Sequence, residues 1–123
     1  MSVRVFVVDD TAHVRKMLVQ MLELSGFEVV GQAASGEEAV AAIGDADPQV
    51  VVVDYKMPGL DGIATARQIK THRPDQAIIL YTAYLDGTLQ DEATEAGVSL
   101  CVGKVEGLTT LERDIRRLAG ELF

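Results

Sequence analysis

Val50-Val51-Val52-Val53-Asp54-Tyr55-Lys56-Met57-Pro58-Gly59-Leu60-Asp61-Gly62 is the stretch that decides how this chain is read. A strand with one wet face alternates apolar and polar residues; four successive valines do not. They describe a strand buried on both faces, as at the centre of a parallel sheet. The strand ends on a carboxylate, Asp54, and two turn signals follow at once, Pro58-Gly59 and Asp61-Gly62. An acid at the carboxyl end of a central strand lies where open α/β sheets bind their ligands.

Outward from that stretch, apolar strands and amphipathic helices alternate. Val3 to Val8 predicts a first buried strand, ending in Asp9-Asp10-Thr11. Val14, Met17, Leu18, Met21 and Leu22 then mark one helical face, which places both methionines in the core. Phe27 to Ala33 reads as an edge strand, more polar because of Glu28 and Gln32. Ser35 and Glu38 form a capping box before a helix that stops near Gly44. Ile63, Ala66 and Ile69 carry the third helix, Ala77 to Thr82 the fourth strand, and Thr88 to Ala96 a helix poor in large apolar residues. Val98 to Val102 is the last strand. Leu108, Leu111, Ile115, Leu118 and Leu122 form the last helical stripe, with Thr109 and Glu112 as a second capping box.

Five strands and five helices in alternation require parallel strands with helices on both faces. The expected class is α/β, a doubly wound five-stranded parallel sheet in the flavodoxin-like order 2-1-3-4-5. That order makes the first and third strands neighbours and sets Asp9 and Asp10 beside Asp54. Thr82 ends the fourth strand and Lys104 follows the fifth, so three carboxylates, a hydroxyl and an ammonium are expected at one sheet edge.

Composition bounds the function. The chain has 123 residues, suited to one domain spanning 1–123, and is 48% hydrophobic and 24% charged. Its formal net charge is −8, and no basic patch of the kind that binds nucleic acid is visible. Arg113, Arg116 and Arg117 are expected on a solvated helix face. No apolar run approaches the roughly 20 residues of a membrane span. The start, Met1-Ser2-Val3-Arg4, lacks the features of a secretory signal, and the single cysteine suits a reducing compartment, so a cytoplasmic protein is expected.

Three crowded carboxylates repel one another unless protonated or neutralised. A hard divalent cation with oxygen ligands relieves that strain, and Mg²⁺ is favoured because it is held by one or two carboxylates plus waters and a phosphate. A carboxylate can also attack phosphorus to give an aspartyl phosphate. Lys104 and Thr82 could then stabilise the transferring phosphoryl group. Neither G-x-G-x-x-G nor a P-loop occurs, which argues against nucleotide binding. The Asp-x-Asp pattern of aspartate-dependent phosphatases is missing, since Lys56 stands two residues after Asp54.

Asp9-Asp10, Asp54 with Met57-Pro58 and Asp61-Gly62, Thr82-Ala83 and Lys104 together resemble the receiver domain of bacterial two-component response regulators, over essentially the whole chain. The resemblance implies that Asp54 accepts a phosphoryl group from a histidine kinase or a histidine phosphotransfer protein. It implies that Asp10, Asp54 and the backbone carbonyl of Lys56 ligate Mg²⁺, with Asp9 acting through a metal-bound water. Thr82 and Lys104 would contact the phosphoryl oxygens. The switched surface would be the fourth helix, fifth strand and fifth helix, about Thr88 to Phe123. It would act on an output protein, a C-terminal effector domain or a phosphorylation-dependent dimer. The domain would be a switch without an external turnover substrate.

Two positions depart from the family pattern. Val105 follows the lysine where the family has proline, and a cis bond there would cost roughly 2.5–4 kcal/mol, so a trans bond or a rebuilt loop is expected. Cys101 stands where an aromatic switch residue is common and is expected to pack in the interior; Tyr84 is a candidate substitute. The Lys56 ammonium is a candidate partner for the phosphoryl group. His13 and His72 are expected at the surface. The reading from another class is a docking module of the same fold that works without phosphorylation.

Overall fold

The four valines do form a strand, and all four side chains are buried. The computed structural model describes residues 2–120. In chain order the elements are β1 (Arg4–Val8), α1 (Ala12–Leu24), β2 (Glu28–Ala33), α2 (Gly36–Ala46), β3 (Val50–Val53), α3 (Gly62–His72), β4 (Ala77–Thr82), α4 (Gly87–Glu95), β5 (Leu100–Gly103) and α5 (Gly107–Leu118). A 3-10 turn, Lys104–Glu106, joins the last two. The strands are all parallel in the order β2-β1-β3-β4-β5, as the alternation of elements predicts.

Alternation along each strand divides the core in two. Phe6, Val8, Val51, Val53, Ile78 and Leu80 face α2, α3 and α4, packing with Ala39, Ile43, Ile63, Ala66, Ile69 and Leu89. Val5, Val7, Val50, Val52, Ile79 and Val102 face α1 and α5, packing with Leu18, Leu22, Leu111 and Ile115. A strand covered on both sides has no position for a polar side chain, hence the unbroken valines. β2 at the edge has only Ala33 fully buried.

Several local expectations need correction. Met17 and Met21 are 58% and 43% exposed rather than in the core. The buried face of α1 centres on Leu18, Val19 and Leu22, so the methionines fall on its flank. There, with Val14, Tyr81 and Leu108, they line an apolar groove of about 300 Å³ between α1 and the start of α5. Helix α2 runs past Gly44 to Ala46 and ends at Asp47, whose left-handed backbone (φ 47°) an aspartate tolerates better than most residues. Arg73 pairs with the Asp47 carboxylate at 2.7 Å and holds it below the usual carboxylate range. Ser35 does cap α2, but the Glu38 carboxylate accepts from Ala34 N–H, one residue earlier than a reciprocal box requires.

Helix α5 begins at Gly107, so Thr109 lies inside it and no Thr109–Glu112 box forms. Glu112 instead accepts a 2.6 Å bond from the Ser25 hydroxyl. Arg116 is partly buried rather than on a fully solvated face: it donates to the Ser25 carbonyl at 2.8 Å and stacks 4.3 Å from the Phe27 ring centroid. These contacts tie α5 to the α1–β2 turn. Leu122 and Phe123 lie outside the described residues.

Leu80 is fully buried against α3 and α4, whereas Leu24 is 84% exposed. Leu80→Ala is expected to lower unfolding free energy by about 2–5 kcal/mol. Leu24→Ala is expected to change it by less than about 0.5 kcal/mol. Urea denaturation with an unchanged slope checks both.

Candidate functional site

In a parallel sheet every strand delivers its last residue to the same edge. Asp9 and Asp54 each follow a strand, and their predecessors Val8 and Val53 are direct partners across the β1–β3 ladder. The ladder continues one step further, since Asp54 N–H donates to the Val8 carbonyl at 3.1 Å. On the other side Asp9 N–H donates to the Ala33 carbonyl at 3.1 Å. Both acids are therefore placed by backbone pairing, not by flexible loops.

One oxygen of each carboxylate is held locally. Asp9 Oδ1 accepts from Thr11 N–H at 2.9 Å, and Asp54 Oδ1 from Tyr55 N–H at 2.7 Å. The other two oxygens share one ammonium: Lys104 Nζ lies 3.1 Å from Asp54 Oδ2 and 3.4 Å from Asp9 Oδ2. Burial by itself would pull the Lys104 pKa down. The hydrogen bond and charge of Asp54, reinforced by Asp9, outweigh it and hold the pKa above that of an ordinary lysine.

The β3–α3 loop is shaped by two features of the opening stretch. Asp61 caps α3 by accepting from Ala64 N–H at 2.8 Å. Gly62 N–H reaches back to the Tyr55 carbonyl at 2.7 Å, so close that a Cβ on Gly62 would collide with the Asp54 carbonyl oxygen. Met57 plugs the loop into the core.

On the other side of the site, Thr82 is fully buried and pairs with Gly103 across β4 and β5. Its Oγ1 accepts from Tyr84 N–H at 3.2 Å, which leaves the hydroxyl proton available to donate. Lys104 leaves β5 through the 3-10 turn, where Glu106 accepts from Gly103 N–H at 2.9 Å. Among the described residues every peptide bond is trans, and Val105 is 93% exposed, so the loop is rebuilt without a cis bond. Cys101 is half-buried against the α2–α4 core, and burial pushes its thiol pKa up.

The structure thus joins Asp9, Asp54 and Lys104 directly and sets Thr82 on the neighbouring strand end. Asp10 is exposed and makes no hydrogen bond or ion pair among the described residues. His13 and His72 are exposed. Arg15 is a positioning residue the sequence did not reveal: it donates to the Asp9 carbonyl at 2.8 Å and to Gln32 at 3.0 Å, clamping the β1–α1 turn to β2. Nothing in a sequence pairs an arginine on one helix with a glutamine on a neighbouring strand.

Among the described residues no group of three acidic, histidine or cysteine side chains is closed tightly enough to hold a metal as it stands. The chemistry of the donors nevertheless fits a hard cation. Asp9 and Asp54 present two oxygens to one positive charge, and Asp10 follows Asp9 in sequence. Three carboxylates against one ammonium leave an excess of negative charge that a divalent ion with oxygen ligands would neutralise.

Because the folded pKa of Lys104 is raised, its contribution to stability is fully present below the ordinary lysine value and lost as pH rises through the raised one. In Mg²⁺-free buffer Lys104→Met is expected to cost about 1–2 kcal/mol. That difference from the parent should hold from neutral pH to about pH 9 and shrink above about pH 10.4. Urea denaturation across that range measures it.

The sequence relatives and structural neighbours point the same way as the geometry. The family model for the response regulator receiver domain matches residues 5–116. The response regulator GacA of Pseudomonas protegens is 35% identical over 98% of this chain, which spans 58% of that protein. The transcriptional regulatory protein PdtaR of Mycobacterium tuberculosis is 32% identical over 97% of this chain and 66% of its own length. Among solved structures, the response regulator domain of Thermotoga maritima CheB superposes with a TM-score of 0.88 at 29% identity, covering 98% of each chain. A chain of the CheX–CheY–BeF3–Mg²⁺ complex from Borrelia burgdorferi gives 0.86 at 25% identity, over 94% of this chain and 88% of that one. No described helix is long and apolar enough to cross a membrane. Residues 5–116 carry the matched fold and the acids at its edge, and the chain belongs to the response regulator receiver domain family.

Proposed function

We propose that Asp54 is the phospho-acceptor of this receiver and that residues 1–123 act as one phosphorylation-controlled switch. The observation that carries the reading is the shared ion pair, in which Lys104 holds Asp9 and Asp54 together at the carboxyl edge of the sheet. A carboxylate oxygen of Asp54 attacks phosphorus as the bond from phosphorus to the donor's leaving group breaks, and the leaving group departs with the electron pair. Before transfer, Lys104 holds the acceptor in place through its 3.1 Å ion pair with Asp54 Oδ2. After transfer its ammonium and the Thr82 hydroxyl donate to the phosphoryl oxygens.

Asp9, Asp10, Asp54 and the Lys56 carbonyl would hold Mg²⁺, Asp9 acting through a metal-bound water. When bound, Mg²⁺ supplies positive charge that offsets the acids and the incoming phosphoryl oxygens. The presence of BeF3 and Mg²⁺ in the Borrelia complex supports this choice of ion and ligand. The donor would be a histidine kinase or a histidine phosphotransfer protein in the cytoplasm. Output would pass through α4, β5 and α5 to a partner protein, an effector domain or a second copy. Helix α4 buries only Leu89 and Ala93, as suits a lightly held element.

Intact-mass measurement after incubation with Mg²⁺ and a small acyl phosphate tests the acceptor. One added phosphoryl group in the parent, none in Asp54→Asn and none after chelation of Mg²⁺ is the expected outcome. An unmodified parent with both small donors and a cognate kinase would favour the phosphorylation-independent docking module.

A further inference from the structure

Lys104 reaches the acids from a turn that lacks the family's proline, so other contacts must aim it. The first is a ring. Tyr81 pairs with Val102 across β4 and β5, and Lys104 lies two residues beyond Val102, diagonal to Tyr81 on the same face of the sheet. Lys104 Nζ sits 5.7 Å from the Tyr81 ring centroid, within the range where an aromatic face attracts an ammonium. The same Nζ holds Asp54 and Asp9. Ring and lysine also share a wall of the apolar groove between α1 and the start of α5. Tyr81 is half-buried there and packs against the core that faces those helices, so the ring is a fixed platform. The second contact is in the turn itself. Glu106 accepts from Gly103 N–H at 2.9 Å, closing the 3-10 turn that carries Lys104. Val105, 93% exposed, offers that turn little packing.

Resting on the reading of Asp54 as acceptor, we propose that Tyr81 and Glu106 are positioning residues for Lys104, the ring aiming its ammonium and the carboxylate fixing its backbone. A lysine is a point charge on a flexible four-carbon stem, and that freedom must be removed before the charge can serve one site. A misplaced charge loses much of its effect on a reacting group. The Tyr81 ring removes freedom at the far end of the stem, and the Glu106 clasp removes it at the near end. Neither residue bonds to Asp9 or Asp54, so both act through Lys104 alone. Together they do the work that a proline after the lysine would otherwise share.

Paired variants separate this role from a merely structural one. Tyr81→Phe keeps the ring and Glu106→Gln keeps an acceptor oxygen, whereas Tyr81→Leu and Glu106→Ala remove them. In unphosphorylated protein the Lys104 Hε protons should show an upfield ring-current shift in NMR spectra. That shift should persist in Tyr81→Phe and Glu106→Gln, shrink in Glu106→Ala and vanish in Tyr81→Leu. Uptake of phosphate from Mg²⁺ and a small acyl phosphate, followed by intact mass, should slow about three- to tenfold in Tyr81→Leu and in Glu106→Ala. The two conservative variants should stay near the parent rate. In a Lys104→Met background neither Tyr81→Leu nor Glu106→Ala should slow uptake further, as for residues that act through one shared group. Glu106 is exposed, so its variants keep the fold even if Tyr81→Leu does not. Lys104 signals unmoved by Tyr81→Leu and by Glu106→Ala, or an equal slowing in the Lys104→Met background, would overturn the positioning roles. A parent that takes up no phosphate would overturn the acceptor reading instead, and the NMR comparison, which needs no phosphoryl group, would still decide whether the two residues aim Lys104.

Discussion

One ammonium between two carboxylates is the constraint on which the site depends. Asp9 is almost wholly buried, and Asp54 lies beside it because β1 and β3 are adjacent. Two such acids would repel without a cation between them. Lys104 provides that cation from the turn that follows β5, 95 residues along the chain from Asp9. The fold is therefore part of the chemistry: the crossovers that set the order β2-β1-β3-β4-β5 also bring the acids and the ammonium to a common edge.

The strands and their order were legible because burial leaves a coarse signature. Val50 to Val53 had to be covered on both faces, and the residues that end or follow each strand had to lie at the same edge. Asp9, Asp54, Thr82 and Lys104 follow from that rule alone. Flank and loop details were not legible. Met17 and Met21 share a helical period with Leu18 and Leu22, yet the period does not say how wide a stripe the sheet and α5 will cover. Thr109 and Glu112 have capping-box spacing, but Gly107 starts the helix before them and leaves Glu112 for Ser25. Arg116 looked like part of a basic face, while its planar group finds Phe27 and the Ser25 carbonyl. Such contacts join elements distant in sequence and depend on side-chain direction rather than period.

The two departures from the family pattern have structural answers of different kinds. Val105 avoids a cis bond by entering a 3-10 turn, and Glu106 secures that turn through Gly103 N–H. Lys104 still reaches both acids, so the missing proline has not displaced it. Cys101 is a small, half-buried packing residue and offers no ring to move. The only aromatic ring beside the site on the α4 side that is joined to a cation is Tyr84, among the described residues.

The central claim is that the acids at this edge form a pocket for a hard cation and a phosphoryl group. The amides of Thr11 and Tyr55 report on it directly, since each donates to one of the two carboxylates. Following both amides by NMR while Mg²⁺ is added is the most direct measurement. Saturable shifts of both at millimolar Mg²⁺, weakened in Asp9→Asn and abolished in Asp54→Asn, are the predicted result. Amides that stay unmoved through saturating Mg²⁺ in the parent would contradict the account.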